Sequence, residues 1–259
     1  MMQSVTSLIT GLTMGVTILV GKSVGAGDFQ QAGRIVAGQI KLFSAVAILL
    51  TGLVTVFAPL CCHWMNVPAN ALDQTIAYIR ICAGGMVFIT AYNGISGIFR
   101  GLGNSKSPLL FVFIACIVNV FLDLLLVGVF HMDAAGAALA TVAAQACSVL
   151  FSVLYIRRRP LPFSLTRESF RARGCVLRIT ALGAPIALQD FLVNISFLMI
   201  TSIVNRLGVA EAAGIGISEK LFVFLSIIPM AFMSALSTFV AQNMGAGQPV
   251  RARNSLLIA

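Results

Sequence analysis

Charge is what this sequence lacks. Of 259 residues, 8 are acidic and 17 basic, 10% in all, where a soluble domain carries roughly a quarter. With 59% of residues hydrophobic, that shortfall places the chain in lipid, and no soluble domain of useful size is left over. The opening MMQSVTSLIT has no basic n-region and no small-residue cleavage site after a short core, which excludes a signal peptide. It reads as a helix already crossing.

The groups that carry catalysis are equally thin. No nucleophile–base pair can be assembled, so an enzyme is not expected. Six cysteines occur, at 61, 62, 82, 116, 147 and 175. Cys82, Cys116 and Cys147 lie inside apolar runs, where cysteine behaves as a small hydrophobe. Cys61-Cys62-His63 has no second ligand pair at zinc-like spacing, so no metal centre of that kind is expected, nor any cofactor. The net charge of +9 does not imply nucleic acid. The basic residues sit in short gaps between apolar runs rather than on an amphipathic surface interleaved with aromatics.

What is present is a series of apolar runs, each near the roughly 20 residues needed to cross a bilayer. Seven spans are predicted, at 2–22, 35–58, 79–99, 109–130, 135–156, 184–205 and 220–242, and NSLLIA at the end opens an eighth. Lys22, Arg34, Arg100, Lys106, a cluster from Arg157 to Arg178, and Arg251 and Arg253 occupy alternate connections. The positive-inside rule puts those loops in the cytoplasm of a multi-pass cell-membrane protein. The cluster RRRPLPFSLTRESFRARGCVLR reads as a linker between two bundles, with an amphipathic surface helix near Arg167–Arg178. Pro185 and Pro229 are candidate kinks.

A small-residue turn occurs twice. VGAGDFQQAG and NMGAGQPVRAR pair Val20 with Val240, Gly25 with Gly245, Ala26 with Ala246, Gly27 with Gly247 and Ala32 with Ala252. Six spans lie between the copies, so both face the same side, as in parallel repeats of secondary transporters. A phosphate loop is excluded, since neither copy completes G-x-G-x-x-G or ends in Gly-Lys-Ser/Thr, and no strand precedes them. Glycine fits because a tight interhelical turn needs positive φ.

Polar residues at membrane depth are the functional candidates. A carboxylate at the bilayer centre costs about 2.5–3.5 kcal/mol on insertion scales. Asn119 and Asp123, four apart, share a helix face, and Asn93 and Thr141 fall at similar depths on neighbouring spans. Such an acid with amide and hydroxyl oxygens suits Na⁺ or a shared proton. Asn93 and Asn119 would serve equally as bridges between helices. Gln189, Asp190 and Asn194 follow Pro185 and are candidates to line a cavity, although Asp190 also suits a hydrated position near an interface. Glu219-Lys220 reads as an interfacial ion pair.

FRGLGNSKSPLLFVFIACIVNVFLDLLLV, with its Arg-Gly-x-Gly turn and Asn-x-x-x-Asp helix, resembles the signature of the multidrug and toxic compound extrusion (MATE) transporters. The Gly-Ala-Gly turns, GAPIALQ and ISEKLFVFLSIIPMAFMSALSTFVAQNMGAG resemble the same family's later elements. The resemblance implies an all-α membrane protein of two parallel six-helix lobes, alternating access, and export of organic cations or drugs in exchange for Na⁺ or H⁺. It implies a cation site at residues matching Asn93, Asn119, Asp123 and Thr141, and a protein that is monomeric when complete. On that pattern residues 1–156 are most of the N-terminal lobe, without its first helix and that helix's aspartate. Residues 157–178 are the cytoplasmic linker, and 179–259 begin the C-terminal lobe. Alternatives are a lipid-linked oligosaccharide flippase of the same superfamily, for which cavity arginines would be expected, or a non-transporting membrane fragment.

Overall fold

A computed structural model describes residues 2–64, 69–172, 174–204 and 209–258. Ten helices are described: α1 (Met2–Gly25), α2 (Phe29–Trp64), α3 (Ala69–Gly84), α4 (Met86–Gly101), α5 (Lys106–Asp123), α6 (Asp133–Arg158), α7 (Arg167–Arg171), α8 (Cys175–Val204), α9 (Val209–Gly245) and α10 (Pro249–Ile258). Six are long and apolar enough to cross a membrane, or seven if the bent pair α3–α4 counts as one span. In a bilayer every backbone group must be paired within its own segment, which leaves helices as the available form for such runs.

Several expectations about helix shape change. The third span is not one rod over 79–99 but two helices meeting at 46°. Gly84-Gly85 lies at the break, and a Cβ on Gly85 would collide with the side chain of Val142 on α6. The bend therefore seats α4 directly on α6. The predicted kinks behave differently, since α8 and α9 run on through Pro185 and Pro229. The fourth span changes winding after Asp123, where Leu124–Val129 form a π-helical turn. The surface helix expected near Arg167–Arg178 is a single turn, with Thr166 Oγ1 accepting from Ser169 N at 3.3 Å, and Arg178 belongs to α8.

The packing centre is α1, which lies against α2, α4, α8 and α9. Val16, Val20, Thr13 and Thr17 are fully buried. Apolar side chains gain little by leaving lipid, so close backbone approach and interhelical hydrogen bonds must hold the helices together. Small residues supply the approach: a Cβ on Gly15 would sit 2.9 Å from Gly183 N and Ile179 O, and one on Gly11 would overlap Ala187. Thr17 Oγ1 donates to Gly97 O of α4 at 3.1 Å.

The two Gly-Ala-Gly turns share one geometry. Asp28 N donates to Ser23 O and Gln248 N to Asn243 O, each at 2.9 Å, while Ala26 N and Ala246 N bond back to Lys22 O and Gln242 O. Gly27 and Gly247 take φ of 71° and 69°, the left-handed value that closes a helix with a six-to-one bond. The turns also meet. A Cβ on Gly25 would strike Gln242 O, and one on Gly245 would strike Lys22 O, so each copy's glycine abuts its counterpart's last helical turn. Gln242 Nε2 adds a 2.9 Å bond to Gly101 O.

The contact at Gly25 predicts a stability effect. In the full-length protein Gly25→Val should cost about 1–3 kcal/mol by overpacking, read as a lower melting temperature in detergent. Gly52→Ala, where an added Cβ meets nothing within 4 Å, should leave melting unchanged or raise it. Equal melting of the Gly25 variant and the parent would refute the contact.

Candidate functional site in the α3–α6 bundle

The helices carrying the predicted polar residues are neighbours: α6 packs on α3, α4 and α5. Its own small residues permit this, with Gly136, Ala140, Ala144, Ser148 and Ser152 buried. Two crossing bonds set the antiparallel register of α5 and α6, Ser148 Oγ to Phe111 O at 3.2 Å and Ser107 Oγ to Tyr155 Oη at 3.2 Å. Near the second, Phe99, Phe111 and Tyr155 form three edge-to-face pairs with centroids 5.4–5.9 Å apart. That register sets Thr141 level with Asn119 and Asp123 one turn further from the basic end.

Asn119 and Asp123 are half-buried, yet Asn119 Nδ2 and Asp123 Oδ1 are shielded from solvent and have no hydrogen-bond partner. An unpaired buried polar atom costs about 1–3 kcal/mol, so these two atoms carry a cost that no hydrogen bond within the protein offsets. The π turn begins at the residue after Asp123, and such turns concentrate at functional positions because they break the regular backbone ladder. Asn93 and Thr141 are turned to their own helices, donating to Ile89 O at 2.8 Å and Ala137 O at 3.0 Å. Their oxygen lone pairs stay available.

Two residues join the group that the sequence did not suggest. Gln145, one turn along α6 from Thr141, has a shielded Oε1 with no partner. Tyr78 of α3 lies within electrostatic range of Asp123 and beside Cys82. The donor set is mixed. Asp123 Oδ1 and Gln145 Oε1 are oxygen acceptors suited to a hard cation or an acidic proton. Asn119 presents nitrogen as assigned, and a half-turn of its amide presents oxygen instead. The residues fit Na⁺ or a proton on chemical grounds.

The second predicted group lies on α8. Gln189 is exposed and lines a shallow depression of α8 with Pro185, Leu188 and Leu192, while Asp190 and Asn194 are not among its lining residues. Asn194 Nδ2 donates to Asp190 O of its own helix at 2.8 Å. Gln189 thus lies on a face of α8 about 100° from Asp190, while Asp190 and Asn194, four residues apart, share one. Of Cys61-Cys62-His63, only the Cys62 side chain falls among those described, and it is buried with Ala58 and Ile79.

Comparison with known proteins decides the family. The family model described as MatE matches residues 1–125 and 185–259. The chain belongs to that family. It is 29% identical over 257 residues to a Bacillus subtilis protein named "Probable multidrug resistance protein YpnP", covering 96% of this chain and 56% of that one. It is 27% identical to a Shewanella oneidensis "FAD transporter", covering 98% of this chain and 58% of that protein. A solved MATE structure described as the bent conformation superposes with a TM-score of 0.89 at 20% identity, over 99% of this chain and 58% of that one. The MatE chain described here thus spans little more than half the length of these relatives. Members of the family are transporters rather than enzymes.

The unpaired atoms predict a separation of stability from function. Gln145→Leu should leave the melting temperature of the ion-free full-length protein unchanged or raised, because an orphaned acceptor is removed. The same change should weaken ion binding, measured by titration calorimetry. A clear loss of stability would mean that Gln145 Oε1 is structurally bonded.

Proposed function

We propose that the full protein carrying this chain is a secondary antiporter that exports organic cations in exchange for Na⁺ or H⁺. The supporting observation is the shielded, unpartnered carboxylate oxygen of Asp123, beside Asn119 and the π turn in a MatE bundle. An isolated carboxylate inside a membrane protein is poised between two states, charged with a cation or neutral with a proton. A coupling ion therefore changes the local charge by one unit, and that change has a large effect where water is scarce.

In this reading Asp123 is the coupling residue. Asn119, Asn93 and Thr141 supply neutral oxygens, with Gln145 added to them. The proposed organisation is 1–156 as most of an N-terminal lobe, 157–178 as a cytoplasmic linker and 179–259 as the start of a C-terminal lobe. The matched turns at Gly27 and Gly247 support parallel repeats, and the basic loops then face the cytoplasm. Alternating access consists of the two halves rocking about the contact between those turns.

The cargo follows from charge. The Shewanella relative is named for FAD, a phosphate-bearing molecule that guanidinium groups would recognise. In this chain Asp123 and Asp190 are carboxylates well inside spans, while the arginines lie mostly near helix ends, Arg80 of α3 excepted. An interior of that sign supports cationic cargo.

Asp123→Asn in the full-length protein should abolish ion-driven efflux from energised vesicles while leaving membrane insertion intact. Efflux at the parent rate would remove Asp123 from the coupling role.

A further inference from the structure

A further polar atom without a partner lies outside that group, where α2 packs on α4. Gln39 of α2 is 3% exposed, and its Oε1 has no hydrogen-bond partner. It lines a cavity of about 430 Å³ between α2, α4 and α6, closed below by the linker. Phe43, Gly94 and Val153 form apolar walls, and Arg157 and Leu165 stand at the basic end. Gly94 lets Gln39 lie flat on α4, since a Cβ there would strike Gln39 Nε2.

The level of the cavity is fixed by its neighbours. Lys41 Nζ, two residues beyond Gln39, donates to Phe170 O of the linker helix α7. Gly38 packs against Cys175 at the start of α8. The Gln39 amide therefore lies near the membrane boundary at the basic end, with the apolar part of the cavity extending inward past Ala47 and Val87. Ile40 and Val153, 41% and 39% exposed, leave the side of the cavity open.

We infer that this cavity binds a phosphatidylglycerol molecule of the leaflet at the basic end. One acyl chain would fill the apolar part, the phosphate would pair with Arg157, and a glycerol hydroxyl would donate to Gln39 Oε1. The chemistry selects among lipids. Phosphatidylcholine has no headgroup donor for an orphaned acceptor, and its ammonium opposes the arginine. A basic side chain near an anionic headgroup favours it electrostatically, and Arg158 and Arg159 follow Arg157 directly. The inference needs only membrane embedding and is independent of the coupling role of Asp123.

The test is native mass spectrometry of the full-length protein with dioleoyl-phosphatidylglycerol and dioleoyl-phosphatidylcholine added in equal amounts. Retention of phosphatidylglycerol in preference to phosphatidylcholine is expected. Arg157→Ser, an exposed change that should not disturb folding, is expected to weaken the retained lipid about fivefold. Gln39→Leu should reduce the preference while preserving melting, because it removes an unpaired acceptor. Equal retention of the two lipids, or a preference that survives both changes, would overturn the site. So would oleate bound as tightly as phosphatidylglycerol with the same dependence on Arg157, since that needs no headgroup hydroxyl.

Discussion

The arrangement depends on how closely the backbone of α1 approaches its neighbours. In lipid an apolar side chain gains little by turning inward, so contact has to come from atoms that can approach and interlock. Gly11 and Gly15 admit α8, and Gly25 admits α9, each leaving space that a single Cβ would fill with a collision. The contact at Gly25 is reciprocated at Gly245, about 220 positions later, against the equivalent turn. A reciprocal contact of this kind forms when two like helices meet near a two-fold axis along the membrane normal, which fits the proposed parallel repeat.

The sites hang from that scaffold. With α1 held against α4 by Thr17, α4 is presented to α6 at the Gly84-Gly85 bend, and α6 is held in register with α5 by Ser148. The result is a bundle whose strongest hydrogen-bonding groups are satisfied except for a few. Among the described residues, orphaned atoms at Asn119, Asp123 and Gln145 gather on α5 and α6, and two more lie at Gln39 of α2 and Ser96 of α4. A fold that leaves such atoms bare is less stable than one with leucine in their place. On the proposals made above, a ligand would complete the bonding, an ion in one case and a lipid headgroup in the other.

Much of this could be read from the residues. Long apolar runs must become helices in lipid, and Gly27 and Gly247 stood out because few other residues tolerate the backbone that ends a helix so abruptly. Asn119 and Asp123 were visible because their four-residue spacing marks one face and their depth is costly. The π turn was hidden, since LLLVGV is equally compatible with an α-helix. The bend at Gly84-Gly85 was hidden as well, because glycine pairs are common in membrane helices and the packing of Val142 decides the angle. Gln39 and Gln145 looked like ordinary amides, for whether an amide is satisfied depends on tertiary neighbours that no local pattern contains. Gln189 and Asp190 are adjacent in sequence yet face about 100° apart on α8, whereas Asp190 and Asn194 share a face.

Coupling between ion and cargo can be read by linkage, without any substitution. If cargo and ion compete through one carboxylate, binding of either must expel the other, by the reciprocity of binding free energies. The measurement is ion release from the purified full-length protein in weakly buffered detergent as tetraphenylphosphonium is added. Release of about one proton or one Na⁺ per cation bound is predicted. Saturable binding of the cation with no ion released would rule out a shared carboxylate.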